Sequence, residues 1–118
     1  MNFLREGLKK TGVKSAIDLK TTPAGERVSV AGLVILRQRP FTAKGFLFVT
    51  LEDETGLTNV VVRPQILKRY RKELIRSSIL LVQGKLEKEE GIINILGERF
   101  APLRFPEEGV AFESRDFR

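Results

Sequence analysis

The chain has 118 residues, 42% of them hydrophobic and 31% charged, with a formal net charge of +6 and a pI near 10.0. That is one domain's worth of chain with enough apolar residues for a core, and its basic surplus points to a polyanion, nucleic acid before an anionic membrane, or to lysines that serve only solubility. It has no cysteine and no histidine, which excludes disulfides, thiolate and imidazole metal sites, cysteine nucleophiles and Ser-His chemistry; no metal and no cofactor is expected.

In chain order, Asn2 is placed to cap a short helix carrying Phe3, Leu4 and Leu8 on one face, with Gly12 as its stop. The segment MNFLREGLKK lacks a signal peptide's apolar run, and no apolar stretch reaches transmembrane length, so a cytoplasmic protein without a membrane partner is expected. Ser15 followed by Asp18 reads as a capping box opening a second short helix with Ile17 and Leu19. Thr22-Pro23-Ala24-Gly25 reads as a type I turn, with proline second and glycine fourth. The period then changes to two. Val28, Val30, Gly32, Val34 and Leu36 alternate with Ser29, Ala31, Leu33 and Ile35 in a long first strand, and Gly32 suggests a bend in it.

A loop from Gln38 to Lys44 leads into strand two, from about Gly45 to Asp53. Asp53-Glu54-Thr55-Gly56 is a turn and Leu57 to Arg63 is strand three, so the two form a hairpin. Pro64 opens a helix carrying Ile66, Leu67, Tyr70, Leu74 and Ile75 at spacings of three and four. Ile79 to Glu87 is strand four, Lys88-Glu89-Glu90-Gly91 a charged turn, and Ile92 to about Phe100 strand five. The organisation expected is an N-terminal helical extension (1–26), a barrel domain (27–103) and an irregular tail (104–118). Five strands with one helix between the third and fourth is the order of the OB fold, an all-β, five-stranded Greek-key barrel that takes oligonucleotides on strands two and three and the flanking loops. An SH3-like barrel is the alternative, and the helix after strand three argues against it.

A hairpin packed on a barrel has one face in and one face out. Leu47, Val49 and Leu51 form the inward set of strand two, and Thr58, Val60 and Val62 that of strand three. Phe46, Phe48, Thr50 and Glu52 then point outward beside Asn59, Val61 and Arg63. A one-residue bulge in strand two would exchange the two sets. Exposed rings suit nucleobases, each of which offers a π-face; packing of either ring under a loop is the alternative. Arg37, Arg39 and Lys44 surround Phe41 with no acid among them, the mixture of cations and rings that a single-strand groove uses. On the helix, Lys68, Lys72 and Arg76 would share one face, read either as solvated or as a docking surface. Glu52, Asp53 and Glu54 alternate across a strand and do not converge on one ion; Asp53 is read as a turn residue accepting backbone hydrogen bonds.

These residues carry a resemblance. Gly32 to Val34, Arg37 to Pro40, Thr42 to Gly45 and Phe48 to Val62 match a pattern GLV-x-x-RQRP-x-TAKG followed by F-x-TLEDETG-x-x-NVVV. The chain thereby resembles the C-terminal OB-fold domain of bacterial DnaE-type DNA polymerase III alpha subunits, in the error-prone branch of damage-tolerant synthesis. LREGLKKTGVKSAIDL and Ser114-Arg115-Asp116-Phe117 are similar to the same segment, so the likeness spans nearly the whole chain. It implies a module that binds single-stranded template DNA, with no polymerase core and hence no enzyme activity of its own. The chain is then a piece of a longer enzyme or a free-standing module. That family often carries an aromatic where Arg63 stands here.

The site expected is Arg37, Arg39 and Lys44 on phosphates, Phe48 with Phe46 or Phe41 on bases, Arg63 stacking through its guanidinium or contacting phosphate, Asn59 at a base edge, and Lys85 of strand four extending the groove. The partner expected is single-stranded DNA, with RNA as an alternative ligand, and the chain is expected as a monomer. A protein-interaction module that docks on a polymerase core or another replication protein is the competing class.

Overall fold

The computed structural model describes residues 12–42 and 44–103; the helix expected after Asn2 and the C-terminal tail lie outside them. Its elements are α1 (Ala16–Leu19), β1 (Arg27–Gln38), β2 (Leu47–Asp53), β3 (Gly56–Val62), α2 (Pro64–Arg69), α3 (Arg71–Arg76), β4 (Ile79–Glu89) and β5 (Ile92–Pro102). The strands close into a barrel in the order β1-β2-β3-β5-β4. All pairings are antiparallel except β3 with β5, which run parallel, and β4 returns to β1. This is the five-stranded OB barrel that the strand order predicts.

Ser15 opens α1 as a capping box. Its hydroxyl accepts from the Asp18 N–H, and its own N–H donates to the Asp18 carboxylate at 2.9 Å. Leu19 is buried in the barrel core, whereas Ile17, its expected partner, is 54% exposed. The following turn lies one residue later than the sequence suggests: Glu26 N–H donates to the Pro23 carbonyl, and Gly25 occupies the third position with φ of 94°. A positive φ there belongs to a type II turn, not the type I expected, and it explains the glycine.

The inward set of the β2–β3 hairpin is as predicted. Leu47, Val49, Leu51, Val60 and Val62 are all at most 1% exposed, and their register runs without interruption from Leu47↔Val62 to Asp53↔Gly56. The bulge is in β1 instead. Val34 pairs with Leu51, but Leu36 pairs with Thr50, so Ile35 is an extra residue. Each face changes at that point. Val34 packs on the core, while Leu36, two residues on, is 48% exposed. Gly32 lies in close approach to β2: a Cβ there would lie 2.7 Å from the Glu52 carbonyl oxygen.

Pro64 opens α2 at its first turn, after Arg63, whose carbonyl accepts the first helical bond. The single helix expected is kinked at Tyr70, whose φ of −111° and ψ of 27° leave the α region. Leu67 and Leu74 are buried, and Ile66 and Tyr70 pack against the core, with the Tyr70 ring edge-on to Phe100 at 5.5 Å. Ile75 stays 43% exposed. Helix α1 sits at the β3 end where the hairpin turns, and α2 follows the opposite end of β3, so apolar side chains close both mouths of the barrel.

Candidate nucleic-acid interface

The closed barrel extends the outer face of the hairpin over two further strands. Opposed residues share a face, so the register defines rows around the wall. One row reads Gln38, Phe48, Val61, Leu96, Lys85 across β1, β2, β3, β5 and β4. Its neighbour reads Leu36, Thr50, Asn59, Asn94, Glu87. At about 4.8 Å per strand, Lys85 is roughly 14 Å around the wall from Phe48.

Phe46 and Phe48 are half-buried on this outer face and stack on each other, with ring centroids 6.4 Å apart and planes at 29°. Part of each ring is therefore left accessible to solvent. Asn59 is exposed, and its carbonyl oxygen takes the Thr50 hydroxyl at 3.5 Å. Its amide nitrogen has no partner among the described residues. Asn94 lies beside it in the parallel register. Arg63 directly follows β3 and is half-buried, and its Nε is buried without a hydrogen-bond partner among the described residues. Phe41, in the loop joining β1 to β2, is 95% exposed. Arg39 and Lys44 of the same loop are exposed as well, and so is Lys85.

Arg37 is the one predicted site residue that the fold turns elsewhere. The bulge at Ile35 puts it opposite inward-facing Val49. Its Nε donates to the Leu74 carbonyl at 2.7 Å and its Nη2 to the Ser77 carbonyl at 2.6 Å. It thus satisfies carbonyls at the C-terminal end of α3, which no intrahelical N–H can reach. These bonds give it a part in the fold, while the residue as a whole remains exposed.

Asp53 does what a turn residue should, and more. Its Oδ1 accepts from the Thr55 N–H at 2.7 Å, the Thr55 hydroxyl at 2.6 Å and the Gly56 N–H at 3.1 Å. Its Oδ2 accepts the Ala16 N–H at 2.8 Å, and the Thr55 hydroxyl oxygen accepts the Ile17 N–H. The hairpin turn therefore clamps the start of α1.

Gln38, Asn94 and Leu96 share the outer rows without being visible as site residues. Gln38 reads as loop in sequence. Asn94 and Leu96 reach the face only through the parallel β3–β5 pairing, whose partners are 35 positions apart. Among the described residues no helix is long and apolar enough to cross a membrane, and no group of three His, Cys, Asp or Glu could hold a metal.

Comparison with known proteins agrees with this geometry. Residues 28–103 match the family model described as "OB-fold nucleic acid binding domain". Over all 118 residues the chain is 43% identical to the error-prone DNA polymerase of Rhodopirellula baltica, covering 10% of it, and 39% identical to that of Methylococcus capsulatus, covering 11%. The chain thus spans about a tenth of the length of the curated relatives it matches. Among solved structures, asparaginyl-tRNA synthetase from Pyrococcus horikoshii superposes with a TM-score of 0.64 at 20% identity, over 75% of this chain and 22% of that one. The S. pombe Stn1-ten1 complex gives a TM-score of 0.59 at 21% identity, over 70% of this chain and 61% of the matched chain. Both likenesses are of fold. With the family match running from the first buried valine of β1 to the residue after β5, the chain belongs to the OB-fold nucleic acid binding domains and is related to a segment of error-prone DNA polymerases.

Proposed function

We propose that this chain is a non-catalytic module that binds single-stranded DNA for an error-prone DNA polymerase. Its site is the outer face of β2 and β3, continued onto β5 and flanked by the β1–β2 loop. The observation that carries this reading is the Phe46–Phe48 pair, two half-buried rings stacked side by side on the outer wall. A base laid on that stack would gain on the order of 1–3 kcal/mol without regard to sequence. Phe41 offers a further ring from the loop. Arg39, Lys44, Arg63 and Lys85 supply charge for phosphates around these rings, and the unpartnered amide nitrogen of Asn59 supplies a donor for a base edge. Of the acids near the hairpin turn, Asp53 is occupied in clamping α1, and Glu52 is exposed on the outer face of β2 at the turn end, two residues beyond Thr50. Exposed Asn59 and half-buried Asn94 lie between the rings and Lys85, so the middle of the site offers amides; its carboxylates, Glu52 at the turn end of β2 and Glu87 on β4, stand at its edges.

The test is fluorescence anisotropy of a labelled oligo-dT titrated with the chain at several salt concentrations. Affinity should fall with salt, and Phe48→Ala should weaken binding about 5- to 150-fold, the factor equivalent to 1–3 kcal/mol. Affinity that ignores salt and is unchanged in Phe48→Ala combined with Arg39→Ala would refute the reading. Competition with an RNA of equal length then distinguishes DNA from RNA as the ligand.

A further inference from the structure

One end of the outer rows runs straight into a second basic feature. The groove between the β1–β2 loop and α2 is lined by Arg39, Gly45, Pro64, Gln65, Leu67 and Lys68, with Arg71 of α3 at its edge, and has a volume of about 450 Å³. Three of those residues are cations and none is an acid. Lys68 and Arg71, three positions apart, line the groove, whereas Lys72 and Arg76 are not part of its lining.

The backbone makes the groove continuous with the proposed site. Gln38 ends its outer row and the next residue is Arg39. Phe46 follows Gly45. Arg63 precedes Pro64. Each of the three elements that holds an outer-face side chain at this end thus passes within one residue, about 3.3 Å of strand, into the groove wall. Loop and helix are packed closely there, since a Cβ on Gly45 would lie 3.0 Å from the Pro64 ring. The floor is apolar and uncharged at Gly45, Pro64 and Leu67, and the rim is cationic. That combination suits a sugar–phosphate backbone, with sugars over the floor and phosphates at the rim.

We propose that a bound single strand leaves the Phe46–Phe48 stack over this groove, where Arg39, Lys68 and Arg71 hold its phosphates. The inference rests on the single-strand reading above and lengthens the site beyond the barrel wall. Only strands long enough to pass the stack engage the groove. An acidic protein segment is the other occupant such a rim would take, and the test decides against it or for it.

The experiment compares two labelled oligo-dT lengths, about 6 and about 16 nucleotides, which fall within the site sizes of single OB folds. Wild type, Lys68→Gln with Arg71→Gln, and Lys72→Gln with Arg76→Gln are titrated over a range of salt. All four side chains are exposed, and the second pair removes the same charge from α3, outside the groove lining. The groove variant should bind the long strand more weakly, with a log–log salt slope about 1.4 smaller, at about 0.7 per lost phosphate contact. It should bind the short strand like wild type, and the control pair should leave both lengths unchanged. A groove variant indistinguishable from wild type on the long strand would overturn the proposal and leave the groove to an acidic protein. Equal losses in the control pair, or on both lengths, would also overturn it, since net charge would then account for the effect. If wild type binds neither strand, the single-strand reading itself fails and this proposal with it.

Discussion

Arg37→Ala removes a guanidinium that donates to the Leu74 and Ser77 carbonyls at 2.7 and 2.6 Å. Hydrogen bonds from a charged donor contribute about 1.5–3 kcal/mol each when buried. Arg37 is largely exposed as a residue, so water would replace part of what is lost. The net cost should therefore be about 2 kcal/mol for the pair, well below the sum of two buried bonds. For a domain of this size, each kcal/mol moves the midpoint by roughly 4–8 °C, so thermal unfolding followed by circular dichroism should shift down by roughly 8–16 °C. Arg37→Lys keeps the charge but cannot reach both carbonyls with a planar fork, and should recover less than half of the loss. Oligo-dT binding measured well below the midpoint should keep its wild-type salt slope in both variants. An unchanged midpoint together with a salt slope smaller by about 0.7 would refute the reasoning, because Arg37 would then be facing a phosphate and not α3.

Asp53→Ala leaves the N–H groups of Ala16, Thr55 and Gly56 without their acceptor. It should cost about 2–4 kcal/mol in urea denaturation and speed hydrogen exchange at Ala16 and Ile17, whereas Asp53→Asn should retain part of the turn. Gly32→Ala would bring a methyl to 2.7 Å from the Glu52 carbonyl oxygen. Backbone on both strands must give way, so the urea midpoint should fall by an amount equivalent to about 1–3 kcal/mol.

Much of the hairpin is legible in sequence because strand alternation is strictly local. Leu47, Val49 and Leu51 against Phe46 and Phe48 define two faces, and the apolar set has one place to go once a core exists. Asp53 and Pro64 are legible for the same reason: a carboxylate two residues before a turn N–H, and a ring without an N–H at a helix start, act on their neighbours. Misreadings arise where one residue of difference depends on a distant partner. Ile35 carries no sign that it is extra, since β1 is apolar on both sides of it; only pairing with β2 reveals the bulge. Gly25 suits either turn position until Glu26 closes on Pro23. Tyr70 keeps the helical spacing of Ile66 and Leu74 while kinking the helix against Phe100.

By itself, then, the amino-acid sequence determined the strand order, the inward and outward sets of β2 and β3, and the rings and cations available to a ligand. These follow from periodicity and side-chain chemistry, which act over a few residues. Tertiary structure alone decided where the cations stand around the barrel. The Ile35 bulge turned Arg37 onto α3, and the β3–β5 closure brought Asn94 and Leu96 beside Asn59 and Val61. Packing of the β1–β2 loop against α2 set Arg39 in one groove with Lys68 and Arg71. Each is a matter of register between segments far apart in the chain, and a register shift of one residue reverses the face of every side chain that follows.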